Sequence, residues 1–171
     1  GSPPPLAWRS KGLGGGYSSV AVAGGKIFTM GEKGGKNHIV CLSGDDGSVL
    51  WSTPIGGGGG PNCTPTVDGD LVFALGINGD LACCTTADGS LVWTLSYKDD
   101  FGVKGKPGWG FSESPLVDGD RLICTPGNND SVLACLDKKT GEVIWKTKVA
   151  DGQLDGRGHD EIRVLDGTFL G

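Results

Sequence analysis

The stretch KKTGEVIW, Lys138 to Trp145, reads as a tight turn running into an apolar strand that ends on tryptophan. ADGSLVW (Ala87–Trp93) and DDGSVLW (Asp45–Trp51) say nearly the same thing earlier in the chain. Thr-Gly and Asp-Gly supply the positive φ that short hairpin turns require. A phrase used three times points to a repeat, and two markers measure its period. The turn glycines Gly24, Gly69, Gly119 and Gly167 recur 45, 50 and 48 residues apart, and Trp8, Trp51, Trp93 and Trp145 recur 43, 42 and 52 apart. A period in the forties is that of a four-stranded repeating unit.

Registered on the first turn, the units align. SSVAVAGGKIFTMG, CTPTVDGDLVFALG and ESPLVDGDRLICTPG each give a short strand, a turn and an apolar strand. HIVCLSGDDGSVLW, GDLACCTTADGSLVW and SVLACLDKKTGEVIW each give a third strand, a second turn and a fourth strand. The apolar runs are short and rich in β-branched residues, with no helical period. The expectation is an all-β chain of four-stranded antiparallel blades, arranged as a β-propeller, with helix essentially absent. Trp8, Trp51, Trp93 and Trp145 are expected to fill the wedge between adjacent blades.

Residues 1–171 read as one repeat region with blades at 18–56, 63–98 and 113–150. Leu6–Gly12 (LAWRSKG) is expected as a fourth strand without its blade, and Ile162–Gly171 as the start of a further one. Bare blade faces and edges call for cover. The expected partner is therefore another copy of the chain, a homo-oligomer, or the remainder of a larger propeller.

Composition narrows the function classes. With 33 Gly the chain is turn-rich, and with 15 Lys+Arg against 20 Asp+Glu it carries a formal charge of −5. No basic cluster stands out, which argues against nucleic acid and anionic membranes. No apolar run approaches the roughly 18 residues of a membrane span. Gly1-Ser2 reads as a cloning remnant, so the sequence assigns no compartment. Cys41, Cys83 and Cys135 each precede a repeat tryptophan by ten residues, at one equivalent strand position. Equivalent positions in neighbouring units lie too far apart for a disulfide, so the cysteines read as small buried apolar residues. Cys83-Cys84 face opposite sides of a strand, which disfavours a vicinal bond.

ACLDKKTGEVIW resembles the tryptophan docking motif of the PQQ-type (quinoprotein-like) propeller repeat, through Ala134, Asp137, Thr140, Gly141 and Trp145. TADGSLVW and GDDGSVLW keep its Gly and Trp and replace Thr by Asp. The resemblance covers nearly the whole chain and specifies fold rather than activity, since the repeat serves quinoprotein dehydrogenases and non-enzymatic scaffolds. It implies an exported or periplasmic protein.

Function is sought in the loops that enter each inner strand: Gly12–Ser19 (GLGGGYSS), Ile55–Thr64 (IGGGGGPNCT) and Lys106–Ser114 (KPGWGFSES). Glycine there serves either close approach of a ligand or crowding near the axis. The third loop carries the insertion that lengthens the last spacing, and it holds Trp109 outside the packing register. Trp109, Phe111 and Glu113 lead the candidate ligand-binding residues, with Tyr17 and Asn62 behind. A small molecule or a protein fits such a loop cluster. No catalytic residue and no metal site is expected: His38 and His159 lack zinc spacing, and GNNDS (Gly127–Ser131) matches a calcium loop in composition only. The reading is a non-catalytic scaffold or binding module with no cofactor. The alternative that the resemblance implies is a fragment of a PQQ- and Ca²⁺-dependent alcohol dehydrogenase, with Trp109 as the quinone floor and Glu113 and Asn62 as oxygen ligands.

Overall fold

A computed structural model describes residues 3–148. They form three four-stranded antiparallel sheets of consecutive strands. The first holds β1 (Ala21–Ala23), β2 (Lys26–Lys33), β3 (Lys36–Ser43) and β4 (Val49–Gly57). The second holds β5 (Thr66–Asp68), β6 (Leu71–Leu75), β7 (Asp80–Thr85) and β8 (Leu91–Ser96). The third holds β9 (Leu116–Asp118), β10 (Arg121–Cys124), β11 (Ala134–Asp137) and β12 (Val143–Lys146). These are consecutive propeller blades, and the chain is the all-β repeat protein that its sequence announces.

One rung repeats across every blade. Ala21, Phe28, Cys41 and Trp51 stand side by side on four strands; Thr66, Phe73, Cys83 and Trp93 match them in the second blade, and Leu116, Ile123, Cys135 and Trp145 in the third. A small side chain opposite the tryptophan leaves room for the indole to lie over its sheet. The thiols serve as filler: all six cysteines are free and buried. Burial pushes the Cys83 and Cys84 thiols up to about 12 and about 11, so neither is a thiolate at neutral pH. Both are fully buried because the middle blade is covered on both faces.

Trp8, Trp51 and Trp93 each reach across to the next blade. The indole N–H of Trp8 donates to the Gly44 carbonyl (3.1 Å), that of Trp51 to Thr86 (3.3 Å) and that of Trp93 to Lys138 (3.0 Å). The ring then lies on the turn glycine of the receiving blade. A Cβ at Gly141 would stand 2.9 Å from the Trp93 ring, and the residue has φ +76°. Glycine is thus demanded twice there, by backbone conformation and by the ring. Lys138 adds an ionic tie, its Nζ lying 2.7 Å from Asp68 of the preceding blade. Phe28, Phe73, Leu81, Leu122 and Leu136 join these contacts into one continuous core.

One expectation needs correction. Leu6–Gly12 forms no strand; no third strand lies beside it among the described residues, and it keeps only the docking contact of Trp8. Helix is essentially absent among the described residues, apart from the short α1 (Tyr97–Phe101) that opens the insertion. Ser96 caps it, accepting from the Asp99 N–H, and Gly102 at φ +71° ends it. Ile162–Gly171 lies outside the described residues.

Candidate functional site

The inner strands stand side by side at the axis. Between them the Tyr17 N–H donates to the Pro61 carbonyl (2.8 Å), the Thr64 N–H to Ser114 Oγ (3.1 Å) and Thr66 Oγ1 to the Pro115 carbonyl. The loops feeding these strands are therefore brought to one end. Their glycines answer to crowding: a Cβ at Gly16 would stand 2.9 Å from Pro61, and one at Gly60 would stand 2.8 Å from the Gly16 Cα.

Tyr17, Asn62 and Trp109 meet at a cavity of about 590 Å³, lined also by Ile77, Lys106 and Ser112. Each blade contributes one wall. Tyr17, Asn62 and Ser112 occupy the same register position in the first, second and third blades. Trp109 stands at the tip of the turn Pro107–Gly110, closed by the Gly110 N–H on the Pro107 carbonyl at 2.8 Å. A turn tip holds its side chain out, and Trp109 is 90% exposed; Tyr17 is 85% exposed. Asn62 Nδ2 fixes that turn by donating to the Trp109 carbonyl (2.9 Å) and to Ser112 Oγ (3.0 Å). Lys106 Nζ is engaged with Asn78 Oδ1 at 3.0 Å.

Phe111 and Glu113 are placed differently. Phe111 is buried, its ring edge-on to Tyr97 with centroids 5.1 Å apart; Tyr97 in turn meets Phe101 at 5.7 Å. The three rings are the insertion's own core. Glu113 is half-buried and lines a second cavity of about 800 Å³ with Lys104, Thr125 and Asn128. Its Oε1 accepts from the Tyr97 hydroxyl and its Oε2 from the Thr125 N–H at 2.6 Å. Burial raises its carboxyl above the usual range, against both hydrogen bonds, which lower it. Burial likewise raises the Tyr97 phenol.

That second bond belongs to the repeat. Ser18 Oγ accepts from the Met30 N–H (3.1 Å) and Cys63 Sγ from the Leu75 N–H (3.3 Å), at the same two register positions in the first two blades. An acceptor at this position therefore caps the second strand of every blade, and Glu113 fills the slot in the third. Three unlike residues share one task, which hid it from a reading by residue type.

The quinone and calcium expectation can be tested on these contacts. Glu113 has both oxygens occupied and faces one cavity, whereas Asn62 and Trp109 line the other. These three residues therefore do not line one common cavity.

With fold and site in view, the relatives can be set beside them. The family profile described as "Outer membrane protein assembly factor BamB" matches residues 5–100 and 56–170. The chain belongs to this BamB family of PQQ-type propeller repeats. BamB of Moraxella catarrhalis superimposes with a TM-score of 0.62 at 18% identity, over 84% of this chain and 40% of that one. The quinohemoprotein alcohol dehydrogenase ADHIIG of Pseudomonas putida HK5 gives 0.62 at 17% identity, over 84% and 22%. The computationally designed Ika4 protein gives 0.60 at 11% identity, over 88% and 81%. At these identities the likeness is one of fold. The chain spans less than half the length of the BamB and dehydrogenase structures. No curated protein matches it by sequence. Among the described residues, no helix is long and apolar enough to cross a membrane.

Proposed function

We propose that this BamB-family chain is a non-catalytic propeller segment that works by binding, through the loops gathered at the axial end of its blades. The observation that supports this is the cavity where Tyr17 of the first blade and Trp109 of the third present exposed rings around Asn62 of the second. Large exposed aromatics held by a fixed turn are characteristic of recognition surfaces rather than of solvated loops. Phe111 and Glu113 support the site from behind, holding the insertion against its blade. The open blade faces are completed by the remainder of a larger propeller or by a second copy. The family description, an outer membrane protein assembly factor, supports a role at the cell envelope.

The test sets binding against the dehydrogenase. The protein is incubated with excess pyrroloquinoline quinone and Ca²⁺, then assayed for dye reduction with primary alcohols. The expected result is no quinone-dependent reduction above the dye blank. Turnover that depends on both quinone and Ca²⁺ would overturn the reading.

A further inference from the structure

The axial cavity has a chemistry that narrows its ligand, and the inference rests on the binding reading above. Trp8, Trp51 and Trp93 all donate their indole N–H to a carbonyl of the neighbouring blade. Trp109 Nε1–H has no hydrogen-bond partner among the described residues, and neither does the Tyr17 hydroxyl. The cavity thus holds two aromatic planes and two unspent donors. Its lining contains no carboxylate, and its one cation, Lys106, is engaged with Asn78. The turn carrying Trp109 is tied down by Asn62.

A complementary ligand offers apolar ring surface, backbone acceptors and no net charge. Proline meets each condition: its carbonyls point outward in the polyproline II conformation, and its ring lies flat on an aromatic face. Such a segment is already extended before binding, so little ordering entropy opposes docking. Aromatic-lined grooves that take proline-rich segments use this combination. A volume of about 590 Å³ lies within the range of roughly 300–1,000 Å³ that holds a ligand the size of a few residues. We propose that the Tyr17–Trp109 cavity binds a proline-rich segment of a partner protein in the polyproline II conformation.

The probe is end-blocked hexaproline, titrated by indole fluorescence and by calorimetry, with hexaglycine and maltohexaose as comparison ligands. Hexaproline is expected to bind saturably and to shift the emission of the exposed Trp109. Hexaglycine has the same backbone length without rings, and it is expected to bind at least about tenfold more weakly, as is the sugar. Trp109→Ala and Tyr17→Ala are each expected to weaken hexaproline binding at least about tenfold by calorimetry. Lys104→Ala, in the other cavity, is expected to leave it unchanged. Thermal melts of the same variants show that they remain folded. No saturable binding of hexaproline, equal binding of hexaglycine or maltohexaose, or binding that survives both aromatic substitutions would overturn the proposal. Each of those results leaves the non-catalytic reading standing, whereas quinone-dependent dye reduction would sink that reading by itself.

Discussion

Trp93 is half-buried, faces Cys83 across its own sheet and donates its indole N–H to Lys138 of the next blade. Trp109, a short way along the same chain, stands 90% exposed on a turn tip and donates to nothing among the described residues. The residue type is the same; the place in the repeat differs. A tryptophan in register is the hinge pin between two blades, because the turn glycine of the next blade leaves a flat seat for it. A tryptophan out of register has no seat, and its apolar surface is available to a ligand. Register, more than residue identity, separates the docked tryptophans from the exposed one in this chain.

The largest expected effect breaks the structural half of that comparison. Trp93→Ala removes the ring that joins the second blade to the third, and should cost about 3–5 kcal/mol in chemical denaturation. Gly141→Ala attacks the same contact from the other side. It should cost about 1–3 kcal/mol for overpacking against the ring, plus about 1 kcal/mol for an alanine at positive φ. In a double-mutant cycle the packing cost should vanish once the ring is gone, leaving only the backbone part. Full additivity would show that Gly141 is needed for its φ alone, and that the docking seat is not as described.

That contact was legible in the sequence, and the reason is physical. Gly47, Gly89 and Gly141 recur with the tryptophans because turn, ring and period impose one constraint together. The free cysteines were legible as well, since equivalent positions in a repeat cannot approach each other. The insertion was harder. Ser96 followed by Asp99 and Asp100, with Gly102 closing the run, carries start and stop signals for α1, but the strand period on either side masked them. Phe111 and Glu113 share a short stretch of sequence with Trp109 but not its surroundings. The turn at Pro107–Gly110 aims Trp109 outward, while the chain after it folds Phe111 inward against Tyr97. Nothing in residue type announces that reversal. The strand cap shared by Ser18, Cys63 and Glu113 was hidden for the opposite reason: its acceptor atom changes from oxygen to sulfur to carboxylate between blades.

Glu113 sits between the two halves of the comparison, and pH separates its roles. Burial raises its native carboxyl above the value in the unfolded chain, so the native state holds this proton more tightly. Stability from the group is therefore fully present below the unfolded pKa of about 4.3, and is lost as pH rises through the raised native value. Glu113→Gln keeps an acceptor for the Thr125 N–H and cannot ionise. The variant should match the parent in acid and gain on it as pH rises toward neutrality, as read from denaturation midpoints across that window. A gap that is constant with pH would mean that Glu113 is not held in a desolvated setting. A gap of opposite sign would mean that the hydrogen bonds from Tyr97 and Thr125 outweigh burial, leaving an ionised carboxylate as the native form.

The smallest expected effect is the most informative about the site. Trp109→Ala removes the largest apolar side chain of the axial loops, yet almost all of that side chain already lies in water. Little transfer free energy is lost and no cavity opens, because no packed neighbour surrounds the ring. The Asn62 bond goes to the Trp109 carbonyl, which alanine retains, so the turn stays tied. Stability should change by no more than about 0.5 kcal/mol, the range of surface substitutions away from special features. The parent's indole emission should lose its most solvent-exposed, red-shifted component in the variant, while the signal of the docked tryptophans persists. A loss near that of Trp93→Ala would show that Trp109 is packed in solution against a face left open in these blades. It would then be a further pin of the propeller and not an element of recognition.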